Sequence, residues 1–201
     1  MSGELAAGLT REQALALLSE HNKDPFHIEH ALTVEGTMRY FAREHDPENE
    51  GFWGIVGLLH DLDWEEHADD PANHTVFAVR ILEPVGATPE LIRAIQSHNS
   101  DNNPALPAPR LMMEKVLFAV DELTGLIGAA VIMRPSKSVM DFTVKSLKKK
   151  FKDKRFAAGC SRDIIRKGAD MLGWDLEELF DRTIRAMQSF APDRDSFPKA
   201  G

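Results

Sequence analysis

The strongest constraint on this chain is the apolar run Ile55-Val56-Gly57-Leu58-Leu59, followed at once by His60-Asp61. Such a run needs burial, and it carries an imidazole and a carboxylate to the edge of whatever buries it. A buried charge without a partner is costly, so the fold must supply one. A helix-end hydrogen bond or a buried ion pair would meet the need; so would a metal ion. More ligand-type residues favour the ion: His30 precedes the pair, and His74, His98 and Asp121 follow it at helix-scale intervals. Asp121, set among Val116, Leu117, Val120 and Leu123, needs a partner of its own.

Around these residues the pattern is helical almost throughout. Thr10 and Gln13 form a capping box before Leu15, Leu17 and Leu18. Asp24-Pro25 is a cap with proline at the first helical position, opening a segment that carries His30 and the apolar face Ala31, Val34, Met38 and Phe41. Residues 51–59 form a short buried helix, and the polar stretch 62–73 is a loop beside the metal. Asn73 caps a helix bearing His74, and Thr88-Pro89 opens one carrying Leu91, Ile92 and Ile95, with His98 at the C-terminal end of its buried face. After the proline-rich loop 100–110, an apolar helix from about 111 to 127 contains Asp121. Beyond Arg134-Pro135 a helix from about 138 to 151 becomes strongly basic. Ser161 caps one ending near Gly173, and Asp175 with Glu178 forms a second capping box that starts the last. The tail after Phe190 is expected to be loose. No period-two strand and no internal repeat occurs. The expected fold is therefore all-α: one domain of eight or nine helices, with a core over about 15–134 and a helical extension over about 135–190.

Composition narrows the function classes. A formal net charge of −8 disfavours a protein that coats nucleic acid or anionic membrane. One cysteine, Cys160, forms neither an internal disulfide nor a thiolate cluster, so a reducing, cytoplasmic setting is expected. No secretory leader and no long apolar span is visible. The stretch Leu126 to Met133 would offer a homodimer contact if exposed, although burial is the more economical reading.

The constellation of His30, His60-Asp61, His74, His98 and Asp121 resembles that of the HD-domain superfamily of metal-dependent phosphohydrolases. The surrounding text, LLHDLDWE at 58–65, HTVFAVRILE at 74–83, SHN at 97–99 and VDELTGLI at 120–127, is similar to its small bacterial HD or HDIG-type branch. The resemblance spans about 15–187. It implies that His30, His60, Asp61 and Asp121 bind a first divalent ion, that His74 and His98 add ligands for a second, and that Asp61 bridges the two. Imidazole and carboxylate without thiolate suit iron or manganese among other divalent ions. Two such ions activate a shared water and polarise a phosphoryl oxygen. The expected activity is hydrolysis of a phosphate ester of a nucleotide or small phosphorylated metabolite. Asp61 stands at the centre, and Asp63, Glu65 and Glu66 are candidates to serve the leaving group. The resemblance leaves two alternatives, a di-iron oxygenase on the same ligands and a non-catalytic sensor of a phosphorylated ligand.

Lys145, Lys148, Lys149, Lys150, Lys152, Lys154 and Arg155 form a basic island broken only by Asp153. Lys145, Lys148, Lys149 and Lys152 share a helical face and would steer or hold a substrate phosphate, against the plainer reading of a solvated face. His21, His27, His45 and His67 are expected as surface or capping residues, and Cys160 as a packing residue.

Overall fold

The computed structural model describes residues 3–191. Every regular element among them is helical, and no strand occurs. In order they are α1 (Arg11–His21), α2 (Pro25–His45), a 3-10 turn (Pro47–Asn49), α3 (Glu50–Leu59), the single turn α4 (Trp64–His67), α5 (Val76–Leu82), α6 (Pro89–Ser97), α7 (Met112–Ile132), α8 (Val144–Lys152), α9 (Arg162–Leu172) and α10 (Leu176–Phe190). Nine of the ten α-helices run seven residues or more, in keeping with the all-α expectation. The chain divides into two compact units, Met1–Leu117 and Phe118–Gly201. The division falls inside α7.

In the first unit α3 is the centre. Phe52 through Leu59 are all buried, so this helix is apolar on every side and must be surrounded. Its most extensive neighbour is α2, which presents Val34, Met38, Phe41 and Ala42. Gly57 permits the close approach: a Cβ there would stand 2.9 Å from Val34 O and Met38 Cγ and 3.0 Å from Glu35 N. α1 joins through Ala14 and Leu18, and α6 packs on α3 with Leu91, Ala94 and Ile95. The buried Glu35 is partnered, accepting from Arg11 Nε at 2.6 Å, Arg11 Nη2 at 2.9 Å and Arg39 Nε at 3.0 Å. At the start of α7 the buried Glu114 reaches back to accept from the Arg110 and Leu111 N–H groups at 2.7 and 3.0 Å. These donors lie ahead of the helix and have no partner within it.

In the second unit α8 and α9 both pack on α10. α8 turns Leu147 and Phe151 inward, and the Phe151 ring lies edge-on to Phe180 at 5.0 Å. Leu126, Ile127, Ala130 and Val131 are buried, whereas Met133 at the end of that stretch is exposed.

Several caps fall where the sequence places them. Thr10 and Gln13 form the reciprocal box. Asp24, Thr88, Ser161 and Asp175 each accept from an N–H of the first turn of their helix, and α9 ends on Gly173 at φ 71°. Two starts differ. His74 lies in a turn ahead of α5, not within the helix, because the Asp63 carboxylate, and not the Asn73 side chain, accepts the Thr75 and Ala78 N–H groups there. The basic helix begins at Val144 instead of near 138, because Asp141 is drawn into a loop by Arg134 Nη2 at 2.6 Å and Ser136 Oγ at 3.0 Å, and Thr143 caps the helix that follows. No helix among the described residues is long and apolar enough to cross a membrane. The expectation of a loose tail falls beyond residue 191, outside the described residues.

The α2–α3 approach yields a test with opposed signs. Gly57→Ala should lower the midpoint of thermal unfolding, at a cost of about 1–3 kcal/mol for the overpacked contact. Gly51→Ala, where a Cβ meets nothing within 4 Å, should leave the midpoint unchanged or raise it. Equal midpoints for the two variants would show that α2 and α3 are not packed as described.

Candidate metal centre

Two helix ends prepare two of the histidines. His60 is the C-cap of α3 and His98 the C-cap of α6. The last carbonyls of a helix have no partner inside it, and each ring fills that gap by donating its Nδ1 proton to the carbonyl three residues back. His60 donates to Gly57 O at 2.8 Å, and His98 to Ile95 O at 2.6 Å. With Nδ1 protonated, Nε2 of each neutral ring carries the lone pair that a cation needs.

His74 is set by a carboxylate instead. Its Nδ1 lies 2.7 Å from Asp63 Oδ1, while Asp63 Oδ2 accepts from the Thr75 and Ala78 N–H groups, both at 2.9 Å. One fully buried acid thus orients the ring and caps α5 together. The cost shows at Thr75, a β-branched residue held at φ 69° in the left-handed region. Its hydroxyl is buried and has no hydrogen-bond partner among the described residues. Asn99, next to His98, donates its amide to Pro71 O at 2.9 Å and His74 O at 2.8 Å, which fixes the turn from behind.

The four imidazoles meet in pairs around Asp61. Nε2 of His30, on α2, is 3.2 Å from Nε2 of His60, and Nε2 of His74 is 3.1 Å from Nε2 of His98. Asp61 Oδ2 lies 3.2 Å from His60 Nε2 and 3.6 Å from His30 Nε2. Its Oδ1 lies 3.1 Å from His74 Nε2 and 3.7 Å from His98 Nε2. Donor atoms at about 2.1 Å from one ion, and at right angles about it, stand about 3.0 Å apart, so these separations suit shared ligation. The cluster can hold a metal ion.

Electrostatics agree with the donor arrangement. Burial pushes the Asp61 carboxyl up, but the His60 charge and hydrogen bonds from His60, His74 and His98 outweigh it and hold the group well below the ordinary carboxylate range. Burial likewise disfavours the His74 imidazolium, yet Asp61 and Asp63 on its two nitrogens raise its pKa to about 9.

Glu65 and Glu66 have partners outside the four imidazoles. Glu65 Oε2 accepts from the Lys23 and Asp24 N–H groups, and Glu66 Oε1 lies 3.1 Å from His21 Nδ1. Hydrogen bonds, that from His27 foremost, keep the Glu65 carboxyl below its ordinary value. Asp121 is half-buried on α7 in the second unit. Lys145, Lys148, Lys149 and Lys152 line a surface concavity of that same unit with Glu177, and Lys148 Nζ lies 2.7 Å from Glu177 Oε2. Cys160 sits 3.3 Å from where a Cβ of Gly125 would be, and burial foremost, then the Glu122 and Asp121 charges, push its thiol up to about 12, as suits a packing residue. The orienting roles of Gly57 O, Ile95 O, Asp63 and Asn99 have no counterpart in the sequence reading. The position of His60 and His98 directly after an apolar helical run is the signal that points to the two carbonyls. No family model, curated protein or solved structure matches the chain.

The His74 value gives a prediction with a definite sign. Below about pH 9 the metal-free ring carries a proton that an incoming cation must displace. Metal affinity should therefore rise with pH up to that value, and calorimetry at pH 7 in two buffers of different protonation enthalpy should register proton release. Equal heats in both buffers would contradict this. In the metal-free chain the raised pKa stabilises the fold fully below the ordinary value of 6.5, and that contribution is lost as pH climbs through about 9. The melting temperature should fall over that interval, and His74→Gln should flatten the slope.

Proposed function

We propose that this chain is a metal-dependent phosphohydrolase that cleaves a phosphate ester of a nucleotide or small phosphorylated metabolite. The observation that carries the reading is the division of Asp61, whose Oδ2 faces the His30–His60 pair while Oδ1 faces the His74–His98 pair. A carboxylate placed in this way suits a bridge between two cations, each also offered two imidazoles. Such donors favour iron or manganese, since thiolates are absent from the set and magnesium prefers oxygen. When bound, a pair of divalent ions supplies an activated water and an electrophile for a phosphoryl oxygen.

The chain's own contribution is preorganisation. The Gly57 and Ile95 carbonyls and the Asp63 carboxylate hold three rings before any ion arrives, so little rotamer freedom is lost on binding. The lysine face of α8 supports an anionic substrate by attraction from solution in an otherwise acidic protein. The resemblance adds Asp121 as a further ligand, which calorimetric metal titration of Asp121→Ala tests.

Phosphate release should be followed over a panel of nucleotides and phosphorylated metabolites, with protein loaded separately with manganese and with iron under argon. Metal-dependent release is expected, and Asp61→Ala should reduce it to background while helical content is retained. Turnover that needs oxygen and partly reduced iron would replace this reading with a di-iron oxygenase. Binding of a phosphorylated ligand without turnover under either metal would replace it with a sensor.

A further inference from the structure

The segment after His60-Asp61 is fastened at Leu62, Glu65 and Glu66 to the end of α1, the connection that follows and the first turn of α2. Asn22, the buried C-cap of α1, donates its amide to Leu62 O at 2.9 Å. Glu65 Oε2 accepts from the Lys23 N–H at 2.9 Å and the Asp24 N–H at 3.0 Å, and it lies 2.9 Å from His27 Nδ1. Glu66 follows with its contact to His21 on the last residue of α1. A surface ion pair between two mobile side chains contributes little. Glu65 differs, because two of its three partners are backbone groups of an ordered turn. Asp24 is the N-cap of α2, Pro25 opens the helix, His27 is its third residue, and His30 comes one turn later. Glu65 therefore places a carboxylate at the positive end of a 21-residue helix, where the N–H groups have no intrahelical acceptor.

We infer that Glu65 is a positioning residue for the His30 side of the centre: by holding the first turn of α2 against the residues that follow Asp61, it sets where His30 stands relative to His60 and Asp61. The inference rests on the metal-centre reading of the same cluster. It assigns the two histidine pairs to different acids of one short segment. Asp63 orients His74, in the pair with His98, whereas Glu65 fastens the helix that carries His30, in the pair with His60. A general scaffolding role would bear on both pairs alike; a positioning role bears on one.

The full chain carrying Glu65→Ala, with Glu65→Gln as the conservative companion, separates these. Titration with diamagnetic Zn(II), resolved by site through the nitrogen shifts of the imidazole Nε2 atoms, should show the His30–His60 site weakened roughly 10- to 100-fold, the range for groups that orient ligands from behind. The His74–His98 site should keep its affinity. Gln retains an oxygen for the Lys23 and Asp24 N–H groups and should recover most of the loss. A second readout needs no metal. The His30 and His60 rings stand 5.1 Å apart, as do those of His74 and His98. In metal-free Glu65→Ala the nuclear Overhauser contact of the first pair should be lost and that of the second kept. Equal weakening of both sites, loss of both ring contacts, or no change in either measurement would overturn the inference. Wild-type protein that takes up no Zn(II) would remove the phosphohydrolase reading, and the ring contacts alone would then decide the role of Glu65.

Discussion

Asp61 lies within reach of four imidazole nitrogens, two on each carboxylate oxygen. An anion so enclosed is tolerable only because positive or proton-donating groups converge on it, and the first unit places them there from four different stretches of chain. α2 brings His30, the end of α3 brings His60, the turn before α5 brings His74, and the end of α6 brings His98. The apolar surround of α3 makes this convergence possible. Because that helix is buried on all sides, its C-terminus emerges at a fixed place among its neighbours, and the residues just beyond it meet whatever those neighbours present.

Helix termini do much of the remaining work. Each end leaves backbone groups unpaired, and the chain uses them as attachment points for functional side chains. The carbonyls of Gly57 and Ile95 take the Nδ1 protons of His60 and His98, which fixes the tautomer that exposes Nε2. The N–H groups at the starts of α2, α5 and α7 are taken by Glu65, Asp63 and Glu114. The same hydrogen bonds that complete the helices thus orient the rings, and neither function needs an added element.

Much of this was legible in the sequence because it depends on local chemistry. Thr10, Asp24, Thr88, Ser161 and Asp175 announce their helices by short-range side-chain acceptors, and the apolar run before His60 announces a buried helix ending in an imidazole and a carboxylate. The start of α5 was not legible. Asn73 is a good local cap, but a carboxylate ten residues earlier in the chain is the acceptor that α5 meets, and no pattern within 73–82 encodes it. The start of α8 failed for the same reason, since Arg134 and Ser136 draw Asp141 into a loop. Glu65 and Glu66 read as free acids near a metal because their partners lie some forty residues upstream.

Thr75 shows how local preference yields to the site. A β-branched residue at φ 69° is strained by about 1–3 kcal/mol, and its buried hydroxyl gains no hydrogen bond in return among the described residues. Glycine would relieve the backbone at once. The conformation is held because Asp63 takes the Thr75 N–H with the oxygen that also caps α5, while its other oxygen holds His74. Relaxing the turn would move the N–H away from that oxygen and loosen the ring that faces Asp61. The strain therefore sits one residue from His74, where a single buried carboxylate has to satisfy a side chain and a helix start together. The cost falls on the turn because the packed ends of α3 and α6 leave the other rings no comparable freedom.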